Sequence, residues 1–428
     1  MITEANRRRF LQGAAAAPFG YALAGNGAVA APASNDDRYF PPPDAAGGWR
    51  SLTDPARIRK VAGIDLERLE QAFRYTATTS QHGGLLVVRH GWLVYERYFG
   101  RAARDATPNL FSVSKMFTSV CCGIMLDEHR DRIPEGLDQK VFTEAYLPEA
   151  FPLNDPRQAG IKLGHLLTMT SGMREGNTGI VRGELVKLDA LPPAPLLDQD
   201  QSALRAPMWT APGGGYSYTS RGVHVASIVL RHIAGMEMQD YIGRKLARPM
   251  EFGGWGYDMQ AAAGRLTHTP GGSGVALRAT DALRFGYLLL RGGAWKGRQL
   301  VPESYMRLCR QPSPYNPHSP FSLQFEVNAD GHLVGAPRDT FFKSGAGGFC
   351  IYAVPSLDLV VYKMASVGAR VPTDEAPYDL GFGKPAGKPD ESRDHWSPAP
   401  ADQFHDGPIN GDAGTRRTLE MVVAAIVG

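Results

Sequence analysis

The sequence predicts an α/β fold in which a strand-containing domain is interrupted by a helical one. Two separate regions, residues 85–99 and 321–364, contain β-rich runs, whereas residues 119–275 between them are poor in strand signals and contain several helical patterns. The chain has 428 residues, 43% of them hydrophobic, which is enough for one large domain or two closely associated ones. We therefore expect an α/β domain formed by residues 61–118 and 276–428, with an all-α insertion at 119–275.

The N-terminal stretch, residues 1–30, has the pattern of an export signal. Arg7-Arg8 is followed by Phe10-Leu11, by a weakly apolar stretch rich in alanine and glycine, and by an A-x-A pattern at 28–30. This pattern predicts a twin-arginine signal peptide and a periplasmic or secreted mature protein. The alternative is a cytoplasmic protein with a disordered basic tail. Because the stretch is too short and too weakly hydrophobic for a membrane helix, we expect no membrane span in the mature protein.

The charge of the chain does not suggest a nucleic acid or a membrane surface as a partner. The formal net charge is +3, and the residues after the predicted signal peptide include 43 basic and 42 acidic ones. The sequence has no C-x-x-C, no H-E-x-x-H and no tight histidine cluster, so we expect no metal and no cofactor. Cys309 and Cys350 are candidates for a disulfide in an oxidising compartment, a pairing that the sequence leaves open.

The elements before the insertion follow from composition and periodicity. Residues 31–60 are rich in proline and glycine and predict an extended arm. Residues 64–75 have apolar side chains at helical spacing. Residues 85–89 and 92–99 are β-rich runs around a short glycine-containing turn, which predicts a β-hairpin. The almost entirely apolar run at 116–126 is typical of a helix that passes through a domain core.

The insertion and the C-terminal part have their own signals. Helical patterns occur at 163–169, 222–233, 238–246 and 416–427. A further helix follows Thr280, which is a plausible N-cap. Strand patterns occur at 321–327, 341–344, 349–354 and 357–364. Between the last strand and the last helix, residues 366–413 are dominated by proline, glycine and aspartate, and predict a long loop that we hypothesise to fold over the site as a lid.

Ser112 and Lys115 stand three residues apart, a spacing that places both side chains on one face of a helix. A serine hydroxyl needs a neighbouring base in order to act as a nucleophile. A lysine amine can be that base where burial or nearby cations lower its pKa, and the apolar run after Lys115 would exclude water from it. Alternatively, Ser112 caps a helix and Lys115 reaches out to solvent.

Two further polar groups follow in order along the chain, Tyr218-Thr219-Ser220 and Lys343-Ser344-Gly345. With these three groups the sequence resembles the serine β-lactamase and penicillin-binding-protein superfamily, and within it the class C β-lactamase-like esterases, carboxypeptidases and amidases. The groups are similar to the S-x-x-K, Y-x-N and K-T-G boxes of that superfamily. The stretches at 165–172, 212–218 and 271–293 add to the resemblance, which covers roughly residues 65–365.

The resemblance implies a fold and a set of roles. The fold would be a mixed, mainly antiparallel sheet with helices on both sides and a helical domain, with the site in the cleft between them. Ser112 would be the acylated nucleophile and Lys115 its proton acceptor, while Tyr218 would relay the proton to the leaving group. Lys343 would keep Tyr218 acidic and attract a substrate carboxylate. The backbone N–H groups of Ser112 and Ala346 would form the oxyanion hole.

Other residues of the boxes are expected to contact the substrate. They are Tyr216, Ser220, Ser344 and Gly345. Ser220 stands where penicillin-recognising relatives usually carry asparagine, and a hydroxyl offers one donor where an amide offers two, which disfavours a dedicated β-lactamase. Ser344 replaces a threonine, which is a mild change. Taken singly, Tyr218 could instead be a core aromatic residue and Lys343 a solvated charge at a strand edge.

We therefore expect a serine hydrolase that cleaves a small ester or amide through an acyl-enzyme on Ser112, with Lys115 and Tyr218 as general base. One alternative is a β-lactamase or a D-Ala-D-Ala carboxypeptidase. Another, from a different class, is a catalytically silent periplasmic relative that binds a ligand or acts as a scaffold. The expected partner is a small-molecule substrate; the sequence does not indicate the oligomeric state.

Overall fold

The architecture can be described for most of the chain after the predicted signal peptide. The computed structural model describes residues 39–80, 82–100, 102–191, 198–257, 268–365 and 411–427. The predicted signal peptide lies outside the described residues, and so does the predicted loop up to residue 410. Residues 411–413, which were expected to end that loop, belong to the last helix.

The described residues form α-helices and several short 3-10 turns. The α-helices are α1 (Pro55–Ala62), α2 (Leu66–Ala77), α3 (Ser114–Glu128), α4 (Leu163–Leu167), α5 (Gln199–Leu204), α6 (Ser220–Ala234), α7 (Met238–Ile242), α8 (Ala279–Leu290), α9 (Glu303–Cys309) and α10 (Gly411–Ala424). A π-helical turn, Gly243–Ala247, continues α7. No helix within the described ranges is long and apolar enough to cross a bilayer.

The strands fall into one large sheet and several two-stranded pairs. They are β1 (Gly83–Arg89), β2 (Trp92–Phe99), β3 (Thr178–Val181), β4 (Glu184–Lys187), β5 (Trp255–Tyr257), β6 (Val275–Leu277), β7 (Ala294–Trp295), β8 (Arg298–Gln299), β9 (Glu326–Val327), β10 (Phe341–Gly345), β11 (Phe349–Val354) and β12 (Leu359–Met364). The large sheet has the order β2-β1-β12-β11-β10-β9, and its pairings are antiparallel. The predicted α/β fold with a mainly antiparallel sheet is confirmed.

Both faces of the sheet are covered by helices, which explains why its strands read as nearly continuous apolar runs. Because side chains alternate along a strand, Leu86 belongs to the core on one face and Leu85 to the core on the other. Helices α2 and α10 pack on the Leu85 face. Helix α8 packs on the opposite face and in turn stacks on α3, with the rings of Phe117 and Phe285 3.7 Å apart.

The insertion contains the predicted helices, but it is not all-α. Helices α3, α4 and α5 each contact α6. Strands β3 and β4 pair with each other in a β-hairpin, and the sequence patterns did not predict this hairpin. Its turn residues Arg182 and Gly183 have φ of 49° and 83°, which is the backbone of a tight hairpin turn. Strand β3 also pairs with the second polar box, through a bridge between Ile180 and Tyr216.

Part of the predicted extended arm is helical. Helix α1 begins after Asp54, whose side chain accepts a hydrogen bond from the Arg57 N–H at 2.8 Å, and has proline at its first position. It ends at Gly63, whose φ of 56° is the left-handed conformation that stops helices. These local end signals, rather than composition, determine the structure of residues 55–62.

Two other expectations differ from the structure. The N-cap of α8 is Arg278, not Thr280, whose hydroxyl instead donates to the Asp44 carboxylate at 2.8 Å. The predicted strand at 321–327 is reduced to β9, because Gln324 has a φ of 66° and breaks the extended backbone before it.

The four cysteines are free and buried. Cys309 belongs to the core on the α8 face of the sheet, and Cys350 to the core on the α2 and α10 face. The sheet therefore separates the two candidates for a disulfide.

Candidate active site

Ser112 lies in a 3-10 turn, Phe111–Val113, that leads directly into α3. Phe111 has a φ of 49°, a conformation that bulky residues rarely adopt, and its N–H donates to the Asn109 side chain at 2.8 Å. No side-chain hydrogen bond caps this turn or the start of α3, so Ser112 is not a helix cap. Strained backbone beside a candidate nucleophile is typical of a functional site.

Lys115 occupies the first turn of α3 and is fully buried. Its Nζ lies 2.9 Å from Ser112 Oγ and 2.6 Å from the backbone oxygen of Gly272. Burial lowers the pKa of Lys115, and the positive charge of Lys343 lowers it further, against the opposing effect of Tyr218. The amine does not reach solvent, and a lowered pKa is the property that a lysine base requires.

Tyr218 stands between the two lysines. Lys115 Nζ and Lys343 Nζ each lie 5.2 Å from the centre of its ring. Although burial by itself would raise the pKa of Tyr218, the positive charges of Lys343 and Lys115 and hydrogen bonds with Ser112 and Lys115 lower it. The residue is also 40% exposed, so it is not a core aromatic, and a substrate can reach it.

Lys343 lies on β10 and is buried, not solvated. Its Nζ donates to Glu326 Oε1, 3.3 Å away, and the hydroxyl of Ser344 donates to the same oxygen at 2.9 Å. Burial would lower the pKa of Lys343, but the negative charges of Tyr218 and Glu326 raise it. The pKa of Glu326 is in turn lowered, because Lys343 and Ser344 outweigh the effect of its own burial. Lys343 therefore remains a cation.

The end of β10 lies against the turn that holds Ser112. A Cβ added to Gly345 would lie 2.5 Å from the Leu110 oxygen and 3.3 Å from the Ser112 nitrogen. Only glycine allows this approach without moving one of the two backbones. Ala346, the second predicted oxyanion-hole residue, is exposed and follows at the start of a 3-10 turn. Its assignment to the oxyanion hole stays a prediction.

A buried hydrogen-bond network holds the segment that contacts Lys115. The Gly271 N–H donates to His224 Nδ1 at 3.1 Å, so the other ring nitrogen carries the proton. That nitrogen lies 2.8 Å from the carboxylate of Asp200. From the other side, Thr118 donates to the Gly271 oxygen at 2.6 Å. The glycine pair is thereby fixed from two directions, with the next carbonyl directed at Lys115.

Ser220 is the first residue of α6 and joins the site mainly through its backbone. Its N–H donates to the Glu175 carboxylate, which also pairs with Arg221 at 3.5 Å. A Cβ on Gly272 would lie 3.0 Å from the Cβ of Ser220, so Ser220 packs against the segment that holds Lys115. The N–H groups of Ser220 and Arg221 have no carbonyl partner within the helix, because they belong to its first turn, and both donate to Glu175 instead.

Tyr216 forms part of an aromatic surface beside the lysines. Its ring centre lies 5.5 Å from that of Phe321, and Lys343 Nζ lies 5.3 Å from the centre of Phe321. Phe321 packs with Met169 and Val223 in a small apolar cluster separate from the main cores. This surface offers apolar contact area directly beside the charged groups.

The predicted residues thus come together from distant parts of the chain. Ser112, Lys115, Tyr218 and Lys343 form one cluster, and the other residues of the three boxes adjoin it. The sequence did not point to several further members: Glu175, His224, Gly272, Phe321 and Glu326. A signal for Glu326 did exist, since it is the single acidic residue in the β-rich run at 321–327. A backbone carbonyl such as that of Gly272 has no signal in sequence.

Within the part of the chain that the structure describes, no group of three histidine, cysteine, aspartate or glutamate side chains is placed to hold a metal ion.

Comparison with known proteins agrees with the fold. A family model described as Beta-lactamase matches residues 67–381. Among solved structures, EstCE1, a hydrolase with promiscuous acyltransferase activity, is 17% identical over 85% of this chain and 98% of its own, with a TM-score of 0.59. A penicillin-binding protein homologue from Caulobacter crescentus is 15% identical over 84% of this chain and 98% of its own (TM-score 0.55). Unliganded simvastatin synthase, LovD, from Aspergillus terreus is 16% identical over 88% of this chain and 98% of its own (TM-score 0.54).

The search of curated proteins gave no match. At such low identities the solved structures show a common fold, whereas the family model spans most of the chain and includes Ser112, Tyr218 and Lys343. With the antiparallel sheet, the flanking helices and the clustered boxes, the chain belongs to the beta-lactamase family, a family of hydrolases.

Proposed function

We propose that the protein is a serine hydrolase that cleaves a small ester or amide through an acyl-enzyme at Ser112. The observation that supports this most directly is the distance of 2.9 Å between Lys115 Nζ and Ser112 Oγ. It joins a candidate nucleophile to a buried amine whose pKa is lowered, which is the pairing that covalent catalysis by serine requires.

In this proposal Lys115 is the first proton acceptor. A neutral amine keeps an N–H bond to the Gly272 oxygen, 2.6 Å away, and offers its lone pair to the Ser112 hydroxyl. As Ser112 Oγ attacks the carbonyl carbon of the substrate, its proton passes to the pair formed by Lys115 and Tyr218. The N–H groups of Ser112 and Ala346 would stabilise the negative charge on the carbonyl oxygen.

Tyr218 completes both halves of the reaction. It gives its proton to the leaving alcohol or amine as the bond to the acyl carbon breaks, and Lys115 then replaces that proton. In the second half, the Lys115–Tyr218 pair takes a proton from a water molecule, which attacks the acyl carbon and releases the acid. The charge of Lys343 supports both steps, because it stabilises the phenolate form of Tyr218.

The surroundings of the cluster favour a small substrate with an apolar part. Tyr216 and Phe321 provide an aromatic surface next to Lys343. Aromatic side chains bind apolar groups through area burial, with little dependence on the exact shape of the ligand. We therefore expect short acyl esters of phenols to be accepted as model substrates.

The test compares the hydrolysis of 4-nitrophenyl butyrate by the wild-type protein and by Ser112→Ala. We expect kcat/KM to fall by several orders of magnitude in the variant, because the nucleophile is lost. Ser114→Ala is the matched control: this serine is buried two positions away and accepts a hydrogen bond from the Val275 N–H at 3.0 Å. It should retain activity within about tenfold, since its role is to hold backbone.

Other outcomes would change the assignment. Equal activity of the wild-type protein and Ser112→Ala would show that Ser112 is not the nucleophile. Turnover of nitrocefin by the wild-type protein, faster than turnover of the ester, would favour the β-lactamase alternative. Inactivity of the wild-type protein on both compounds would favour a peptidase or a catalytically silent relative.

A further inference from the structure

Three donors of the third box converge on one oxygen atom. Glu326 Oε1 lies 3.3 Å from Lys343 Nζ, 2.9 Å from the Ser344 hydroxyl and 3.4 Å from the Ser344 nitrogen. An ammonium group and a neighbouring hydroxyl are the donors with which a protein binds a carboxylate. In this chain they already hold a carboxylate that belongs to the protein.

The position of Glu326 is fixed by the sheet. Strand β9 pairs with β10, and Glu326 lies directly opposite Phe342, the neighbour of Lys343. The side chain of Lys343 is 3% exposed and that of Glu326 is 22% exposed, so their attraction is weakly screened by solvent. The pairing of β9 with β10 holds Glu326 next to Lys343 and Ser344. A carboxylate that arrives with a substrate would have to displace it from these donors.

We propose that Glu326 takes the place of a substrate carboxylate at Lys343 and Ser344, so that the site selects esters or amides that carry no carboxylate near the scissile bond. This inference rests on the proposed hydrolase function and narrows its substrate class. Lys343 still lowers the pKa of Tyr218 in this arrangement. A substrate carboxylate, however, would have to bind beside the negative charge of Glu326. Like charges at such close distance repel strongly in a partly buried site.

A second carboxylate in the site provides a control. Glu175 contacts the start of α6 through the N–H groups of Ser220 and Arg221, and pairs with Arg221. Glu326, by contrast, is held by Lys343 and Ser344, which lie on β10. The variants Glu326→Gln and Glu175→Gln therefore remove the same charge from two different places, which separates a specific effect at Lys343 from a general change in the charge of the site.

The experiment uses two matched substrates, 3-butyryloxybenzoate and 3-butyryloxybenzamide, which differ at one group on the leaving phenol, a carboxylate in the first and an uncharged amide of similar size in the second. For each protein we measure kcat/KM for both and take the ratio of the charged to the neutral substrate. In the wild-type protein we expect the ratio to be about 0.1 or lower. In Glu326→Gln it should rise at least about tenfold, whereas in Glu175→Gln it should stay within about threefold of the wild-type ratio.

Several results would overturn the inference. A wild-type ratio near or above one would contradict it without any variant, so it remains testable if Glu326→Gln does not fold. An unchanged ratio in a folded Glu326→Gln, or an equal rise in Glu175→Gln, would also contradict it. If the wild-type protein hydrolyses neither ester, the proposed function itself fails, which is a separate outcome from a ratio that does not respond to Glu326.

Discussion

The reactivity proposed for Ser112 depends on how charge is distributed among three neighbouring side chains. The Nζ atoms of Lys115 and Lys343 both lie 5.2 Å from the centre of the Tyr218 ring. Both charges lower the pKa of Tyr218, and the charge of Lys343 also lowers the pKa of Lys115. Lys343 differs from Lys115 because it is paired with Glu326. One lysine is therefore adapted to lose its proton and the other to keep it, although both are buried.

The pH dependence of activity should reveal this division. In the proposed mechanism Lys115 acts as a neutral amine, so kcat/KM should rise with pH through a pKa below the ordinary lysine value of 10.5. Because Lys115 and Tyr218 interact, the apparent pKa of this rise belongs to the pair and not to either residue alone. Lys343→Gln removes a positive charge that lowers the pKa of both groups, so the ascending limb should move to higher pH, as measured from pH–rate profiles on 4-nitrophenyl butyrate.

The control for this prediction is Lys296→Gln. Lys296 is an exposed lysine paired with Glu251 on the surface, and its removal changes the net charge of the protein equally. Its pH profile should match that of the wild-type protein, because surface charges are screened by solvent and salt. An ascending limb in Lys343→Gln that stays in place or moves to lower pH would contradict the assigned effect of Lys343.

The site also depends on how closely two backbone segments approach each other. Strand β10 brings Gly345 against the turn before α3, near the oxygen of Leu110 and the nitrogen of Ser112. The same strand carries Lys343, so the position of the strand fixes both this positive charge and the surroundings of Ser112, the proposed nucleophile. A change of a few tenths of an ångström at this contact would misalign the reacting groups.

Gly345→Ala should therefore reduce activity without unfolding the protein. The added methyl group would lie 2.5 Å from the Leu110 oxygen, so the strand and the turn have to separate. We expect kcat/KM on 4-nitrophenyl butyrate to fall by about tenfold or more. In Gly160→Ala the nearest atom to the new methyl group is 3.6 Å away, an ordinary contact, and activity should not change. Wild-type activity in Gly345→Ala would show that this approach is unimportant.

Most elements could be predicted from the sequence, because they carry their signals locally. The hairpin of β1 and β2 and the strands β11 and β12 follow from apolar, β-branched runs separated by turn residues. The order Ser112, Tyr218, Lys343 was enough to identify the cluster through its resemblance to a family. Strand β9 was overestimated, because the left-handed residue before it, Gln324, has no signature that the pattern of apolar residues reveals.

The remaining parts of the site depend on contacts between distant segments. Glu326 is recognisable as a site residue only once β9 is known to pair with β10, and that pairing is not encoded in either strand alone. The contribution of Gly272 is a backbone oxygen, and that of His224 is a hydrogen bond to a backbone nitrogen. Both contacts involve backbone atoms, so no pattern of residue types in the sequence reveals them.

For the molecule as a whole, segments from both ends of the described chain form a single sheet. Strand β1 lies between β2 and β12, with Val87 opposite Val361, so the N-terminal hairpin completes a sheet whose other strands come from the last third of the sequence. Local patterns predicted β-structure in each of these regions but not this order of strands. Tyr218 lies in the region inserted between β2 and β10, and Lys343 lies on the sheet, so the proposed mechanism requires both parts to be correctly folded.

Asp200 should contribute to the stability of the whole fold. Burial would raise its pKa, but hydrogen bonds from His224 and Arg231 outweigh this effect and lower the pKa well below the ordinary value of 3.8. The carboxylate therefore stabilises the folded state above that value, and the contribution is lost as the pH falls below it. Asp200→Asn should lower the free energy of unfolding at neutral pH by about 2 to 4 kcal/mol, measured by urea denaturation.

Two observations would check this explanation. The difference between Asp200→Asn and the wild-type protein should shrink in acid, because the unfolded wild-type chain then binds a proton at Asp200 while the lowered pKa keeps the folded carboxylate charged. Asp127→Asn removes the partner of Arg130 from an exposed pair and should change stability by less than about 0.5 kcal/mol. Equal effects of the two substitutions, or a difference that grows in acid, would contradict the stabilising role of Asp200.

The central claim is that Ser112 is the activated nucleophile, and mass spectrometry of the labelled protein tests it most directly. The wild-type protein is incubated with a fluorophosphonate, which forms a stable bond to an activated serine with loss of fluoride, and is then digested to locate the adduct. We predict one adduct per chain, on the peptide that contains Ser112, and none in Ser112→Ala or after denaturation. An adduct on another residue, or no adduct in a protein that hydrolyses esters, would contradict the account.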